Sequence, residues 1–235
     1  MQTQMKDFDI VVVGGGPSGT SFARSLFDLA PKSSIALLDQ ASFPRDKHCG
    51  DALTDTALPL LHVIFPELSE QLPPRNMHVS YSIRDLNGRG LRYFSSTNFS
   101  TIPRRTLDNL LWQAGKTKGV QTFENTKVLS LLKENNAVCG VRAETPDGIV
   151  DFQSSLVIGA DGSKSTIRRN TGTTSNDDVV TAIRQYVRGI RPIEDRLVFF
   201  IDSKYSGYYW FFPFKEENEH VANIGYGIFT PNRCD

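Results

Sequence analysis

The chain has 235 residues, with Lys plus Arg equal to Asp plus Glu at 26 each and a formal charge of zero. That balance excludes a strongly basic or strongly acidic chain, and nothing in it advertises a nucleic-acid or anionic-membrane footprint. The length buries a sizeable core as one large domain or two small ones.

Cys49, Cys139 and Cys234 are far apart and odd in number, and His48, His62, His78 and His220 share no ligand spacing. No metal site is expected, and the thiols read as reduced, in a cytoplasmic setting. The apolar run after Lys6 is too short for a signal-peptide core. No stretch approaches the roughly twenty apolar residues of a spanning helix, so the protein reads as cytoplasmic, at most peripheral on a membrane.

In chain order, DFDIVVVGGGPSGTSFARSL joins an apolar strand to an amphipathic helix through Gly14, Gly16 and Gly19, and a second strand, IALLDQ, ends on Asp39. This is the pattern of a dinucleotide-binding βαβ unit. The first glycine permits the tight turn, the second lets backbone N–H groups approach a pyrophosphate, and the third lets helix and strand pack closely. With Pro17 and Ser18 between the glycines, the phosphates rest on the positive end of the helix. Asp39 stands at the distance from which an acid reaches a ribose hydroxyl, the alternative being a residue that only ends a strand in solvent.

A loop, ASFPRDKHCGDAL, and a mixed helical stretch follow as far as about Leu72, punctuated by Pro73 and Pro74. MHVSYSIRDLNGRGLRYF alternates apolar and polar residues around Asn87-Gly88, a hairpin signal. RRTLDNLLWQAGKTKG spaces Leu107, Leu110, Leu111 and Ala114 as a helix ending at Gly115 or Gly119. Residues 120–162 read as short strands with turns at Asn135-Asn136 and Asp147-Gly148, and residues 179–229 are again strand-like. LVIGADGSKSTIRR repeats the strand, glycine turn and helix sequence, bringing Asp161 and Gly162 to a sheet edge with Ser163 or Ser165 as N-cap; alone it reads equally as an ordinary βα turn.

The expected fold is therefore α/β, a Rossmann-like nucleotide-binding βαβ layer with an inserted, mostly antiparallel sheet that serves the substrate. The nucleotide-binding domain takes residues 1–72 and 101–174, and the sheet module takes 73–100 and 175–235.

GGGPSG at 14–19, FPRDKHCGDAL at 43–53, IPRRTLD at 102–108, GADGSKSTIRR at 159–169 and GYYWFFPF at 207–214 together resemble the FAD-dependent oxidoreductases of the geranylgeranyl reductase family, within the superfamily of aromatic hydroxylases and flavin-dependent halogenases. The resemblance implies FAD in the βαβ site. It implies that Arg45 and Arg104, with Arg105 as the alternative in register, hold the adenosine-phosphate portion. It also implies that the Cys49 loop lies near the flavin ring and that Cys49 serves reduction of an isoprenoid double bond, by hydride transfer from reduced flavin and protonation of the neighbouring carbon.

Lys47 beside Cys49 favours a thiolate, against which stands a buried inert thiol; His48, in an extended loop, is expected to point elsewhere. Tyr208, Trp210 and Phe212 share one strand face, with Tyr209 and Phe211 on the other. Trp210 and Phe212 are the expected walls of an apolar pocket, although such a face equally suits a sheet core. No second GxGxxG is present, so flavin reduction needs an external donor such as NAD(P)H. Family members continue into a third FAD motif, a Gly-Asp-Ala turn, for which Gly50 to Ala52 is misplaced, so the chain reads as truncated. A flavin monooxygenase or halogenase and a non-catalytic FAD-binding remnant are the alternative functions.

Overall fold

The computed structural model describes residues 4–73, 77–84, 89–117, 119–173, 179–191, 196–202 and 206–230. The Asn87-Gly88 turn, Pro74 and Cys234 lie outside the described residues. The chain divides into two compact units, one of residues 1–45, 64–68 and 105–175 and the other of 46–63, 69–104 and 176–235.

The first half of the chain forms β1 (Gln4–Val13), α1 (Pro17–Leu29), β2 (Ile35–Leu38), β3 (Ala52–Leu53), α2 (Ala57–Ile64), a 3-10 turn at Pro66–Leu68, β4 (Met77–Arg84), β5 (Gly90–Thr101) and α3 (Arg104–Thr117). The second half forms β6 (Gln121–Phe123), β7 (Lys127–Glu134), β8 (Ala137–Thr145), β9 (Gly148–Gly159), α4 (Thr166–Asn170), β10 (Val179–Arg188), β11 (Arg196–Asp202), β12 (Gly207–Glu216) and β13 (Glu219–Thr230).

The first unit is built on a six-stranded sheet in the order β6-β2-β1-β9-β8-β7. The β6, β2, β1 and β9 neighbours pair in parallel, and the β9-β8-β7 edge is antiparallel. Parallel strands covered on both faces read as unbroken apolar runs, and β1 and β2 show why. Val11 and Val13 pack on one face with Ala36, Leu38, Phe152 and Ile167, whereas Val12 packs on the other with Ala23, Ile35, Leu37 and Trp112. Arg24 of α1 is buried and ties Glu67 (2.5 Å) and Asp28 (3.0 Å) to the helix, which anchors the 3-10 turn in this unit.

The second unit holds a seven-stranded sheet, β10-β13-β12-β11-β4-β5-β3, antiparallel except where β11 pairs with β4. Val79, Leu197, Trp210 and Phe212 form its core, with Tyr81, Phe99 and Phe199 packed against them. The α/β class with a mostly antiparallel second sheet is as expected. The strand β3 and the loop before it differ from the sequence division, which assigns residues up to 72 to the nucleotide layer. Residues 46–63 instead belong to the second unit, because Asp51 bonds Tyr186 and Asn223 there and Ala52 pairs with Thr101. The helix α3 runs through Gly115 rather than stopping at it.

The turn between β1 and α1 sets the tightest constraint. Gly14 has φ +108, and a Cβ there would lie 2.3 Å from the Ala160 carbonyl oxygen. A Cβ on Gly15 would lie 2.4 Å from the Trp112 ring, which is itself stacked on Phe43 at 4.3 Å and cannot yield. Gly15→Ala is therefore expected to lower stability by about 1–3 kcal/mol through overpacking. Gly115→Ala, where nothing lies within 4 Å, should raise it by about 0.5–1 kcal/mol through helix propensity. Denaturant midpoints of the two variants check this, and a neutral Gly15→Ala would show that Trp112 is free to move.

Candidate functional site

The candidate nucleotide site is assembled at the C-terminal ends of β1, β2 and β9. Val13 and Gly159 are partners in the parallel ladder, and the Ala160 N–H donates to the Val13 carbonyl at 2.7 Å, so the two glycine turns of the sequence lie side by side. Helix α1 starts with Gly16 as N-cap and Pro17 behind it, has no side-chain cap, and carries no acid in its first turn. A helix start with no side-chain cap among the described residues, lined by Ser18 and Gly19, suits a phosphate.

Asp39 is buried at the tip of β2, where its carboxylate accepts the Gly15 N–H at 2.7 Å and the Ala41 N–H at 2.9 Å. It thus fixes the glycine turn, and it does not end its strand in solvent. Arg45 lies between Asp39 (3.5 Å) and the fully buried Asp108 (3.1 Å) and stacks on Phe43. Asp108 is the member of this cluster that sequence reasoning missed; its place one residue after Leu107, on the buried side of an amphipathic helix, was the available signal.

Asp161 accepts from Ser165 Oγ and the Thr166 N–H, both at 2.6 Å, and from the Ile167 N–H at 3.2 Å. Ser165, not Ser163, caps α4 by accepting the Arg168 N–H. The Asp161-Gly162 turn is therefore a capped βα turn beside the first glycine turn. The carbonyls of Ser163 and Lys164 are taken up by Arg168 and Arg169.

The second unit contains a cavity of about 260 Å³ lined by His48, Cys49, Phe199, Tyr208, Trp210 and Phe212, with Ala182, Ile183 and Arg184 of β10 on one side. Cys49 and His48 are both among its lining residues. Trp210 and Phe212 share a buried face while Tyr209 is exposed, as the strand period requires. The indole of Trp210 lies flat over β13 because Gly225 leaves room, a Cβ there falling 2.1 Å from the ring.

A buried polar cluster holds the cysteine loop to this wall. Asn223, fully buried, accepts the Trp210 indole N–H at 2.9 Å and donates to the Cys49 carbonyl and to the Asp51 carboxylate, both at 2.7 Å. Asp51, in the left-handed region at φ 68, also accepts the Tyr186 hydroxyl at 2.6 Å and the Arg104 backbone N–H at 3.1 Å. Asn223, Tyr186 and Gly225 were not found from sequence, since the strands alone give no sign that three distant segments meet at one carboxylate.

Burial pushes the Asp51 carboxyl above the usual carboxylate range, against the downward pull of Tyr186, Asn223, the Arg104 N–H and the Arg184 charge. Burial and then the bond to Asp51 push the Tyr186 phenol well above its ordinary value. A carboxyl held above its unfolded value contributes stability that is present below the unfolded value and lost as pH rises through the folded one. Tyr186→Phe removes the largest opposing pull, raises Asp51 further and extends that loss upward. The variant should cost about 1.5–3 kcal/mol at pH 7, where the bond is to a charged group, and less at pH 4. Urea melts at the two pH values check this, and equal costs at both would show that Asp51 does not titrate through the bond.

Comparison with known proteins bears on both sites. The chain is 27% identical over 233 residues to a digeranylgeranylglycerophospholipid reductase of Methanothrix thermoacetophila, covering 94% of this chain and 56% of the relative. It is 29% identical over 238 residues to a menaquinone reductase of Mycolicibacterium smegmatis, covering 94% and 55%. The chain thus spans a little over half the length of these curated relatives. Its fold matches a geranylgeranyl bacteriochlorophyll reductase-like structure from Thermoplasma acidophilum with a TM-score of 0.79 at 22% identity, covering 95% of this chain and 57% of that one. A myxobacterial chondrochloren halogenase shares the fold at a TM-score of 0.72, 19% identity and 95% and 53% coverage. No helix among the described residues is long and apolar enough to cross a membrane. The glycine turn, the uncapped start of α1 and Asp39 fit FAD, and the match of residues 7–218 to the FAD binding domain family shows that the chain belongs to that family.

Proposed function

We propose that the chain is the FAD-binding and substrate-binding part of a reductase that saturates carbon–carbon double bonds of an isoprenoid chain. The observation that carries this reading is the cavity of the second unit, whose lining combines four aromatic residues, Phe199, Tyr208, Trp210 and Phe212, with Cys49. Its volume lies just below the ~300–1,000 Å³ of ordinary ligand pockets, so it receives a segment of a long chain rather than the whole. The names of the digeranylgeranylglycerophospholipid and menaquinone reductase relatives support an apolar substrate of this class, which brings the protein to the surface of a membrane.

In this reading Gly14, Gly16, Pro17, Ser18 and Gly19 receive the pyrophosphate, Asp39 bonds a ribose hydroxyl, and Arg45 and Arg104 serve the adenosine-phosphate portion. Asp161 and Gly162 shape the adjoining turn. Bound FAD supplies a hydride for one carbon of the double bond. Trp210 and Phe212 orient the chain and exclude water, while Cys49, held through its carbonyl by Asn223, serves the protonation of the neighbouring carbon. An external donor of the NAD(P)H class restores the reduced flavin.

FAD titration of the Gly16→Val variant should show more than a tenfold loss of affinity, about 1.4 kcal/mol or more, because the branched side chain enters the path of the pyrophosphate. Unchanged flavin absorbance and affinity would remove the pyrophosphate from this turn. Cys49→Ala should keep flavin affinity and lose about 10²-fold or more in anaerobic reduction of a geranylgeranyl substrate. A full rate in that variant makes Cys49 a packing residue. Oxygen consumption under NADPH without double-bond reduction in the native protein would replace the reductase reading with that of a monooxygenase.

A further inference from the structure

The loop from Asp46 to Asp51 carries His48 and Cys49 along the cavity of the second unit. Two residues of one strand hold its two ends. Arg184 and Tyr186 stand two positions apart on β10 and so project from the same face of the sheet. At the inner end of the loop, the Tyr186 hydroxyl donates to the Asp51 carboxylate at 2.6 Å. At the outer end, Arg184 Nη2 bonds the Asp46 carboxylate and lies 3.4 Å from the Lys47 carbonyl. The guanidinium also lies 4.2 Å from the centre of the Tyr186 ring, so the two holding residues brace each other.

The two anchors differ in exposure. Asp51 is buried and is held as well by Asn223 and the Arg104 N–H, whereas the Asp46 side chain is 54% exposed. A bond to a buried carboxylate is costly to break because the acceptor is left desolvated, but a half-exposed carboxylate regains water on release. The outer anchor is therefore the one that yields. Arg184 resists this release, because its own side chain is only 8% exposed and would lose its hydrogen-bonded carboxylate while still out of water. The ion pair and the position of the loop are thereby coupled. Gly50 shows how closely the held loop fits, since a Cβ there would lie 2.8 Å from the Phe212 ring of the cavity lining.

We infer that Arg184, through its bond to Asp46, is a positioning residue for Cys49, a latch that keeps the thiol-bearing loop closed on the cavity. This inference rests on the reading of the cavity as the substrate site, in which Cys49 is the group to be placed, although its test needs no substrate.

The test is the rate at which iodoacetamide, an uncharged probe, alkylates Cys49 in the protein with FAD present. The rate is followed over a pH series and read peptide by peptide, so that Cys139 serves as an internal reference. The plateau at high pH reports access to the thiolate, and the midpoint reports the charges around it. Asp46→Ala should raise the Cys49 plateau about fivefold, the upper end for a partly exposed ion pair, and leave Cys139 unchanged. Asp46→Asn keeps an acceptor for the Lys47 N–H but not the charge, and should fall between. Arg184→Lys, which keeps the charge but not the fork, should give an intermediate plateau with Asp46 present and add nothing to Asp46→Ala, because the two side chains act as one latch. An unchanged plateau in Asp46→Ala, or a shift of the midpoint alone, overturns the inference. Gains that add across the two positions, or a matching rise at Cys139, overturn it as well. Each of these outcomes leaves the isoprenoid site standing, whereas a full reduction rate in Cys49→Ala removes the role of the thiol and leaves the latch standing.

Discussion

A carboxylate buried among strands has to find donors on every side, and the second unit is arranged around that requirement at Asp51. Its acceptors reach Tyr186 on β10, Asn223 on β13 and the backbone at the start of α3, so segments far apart in sequence are fixed by one side chain. Asn223 extends the arrangement by taking the Cys49 carbonyl and the Trp210 indole. The loop that carries the thiol and the ring that forms the cavity wall are therefore held by the same amide. A partly satisfied cluster of this kind is worse than an apolar core, and a fully satisfied one specifies a single arrangement. Here the tie decides position more than stability, because burial works against the charge of Asp51 even as its partners favour it.

The first unit rests on a different kind of constraint, namely closeness of approach. Gly14 and Gly15 admit no side chain, because Ala160 and Trp112 already occupy the space. The turn is thus shaped by neighbouring protein before any nucleotide is considered. Asp39 reinforces it by accepting the Gly15 N–H, so the acid has a structural part of its own. Its replacement disturbs the turn whatever else it does.

What was legible in the sequence follows from the range of the interactions. The βαβ unit, the helix over residues 104–117 and the alternation through Tyr208, Trp210 and Phe212 are set by local periodicity and by turn chemistry, and the structure agrees with them. The family resemblance rested on short motifs and brought the chain to the FAD binding domain family over residues 7–218. The placement of residues 46–63 and the roles of Asp108, Tyr186 and Asn223 were not legible. Each depends on a contact with a residue dozens of positions away, for which a single sequence carries no period.

The pairing of β1 between β2 and β9 has a consequence for how the chain acquires its structure. β2 follows β1 closely, but β9 supplies the other edge only from Val150 onward, where it pairs with Gln4. A chain growing from its N-terminus therefore carries β1 with one side unpaired through the synthesis of roughly a hundred further residues, including β3, β4 and β5 of the other unit. Contacts so distant raise the loop-closure cost that must be met before pairing is rewarded, and they slow folding. The apolar run Ile10–Val13 of β1 is consequently left with one unpaired side for that interval, and nascent chains are vulnerable to aggregation at that edge.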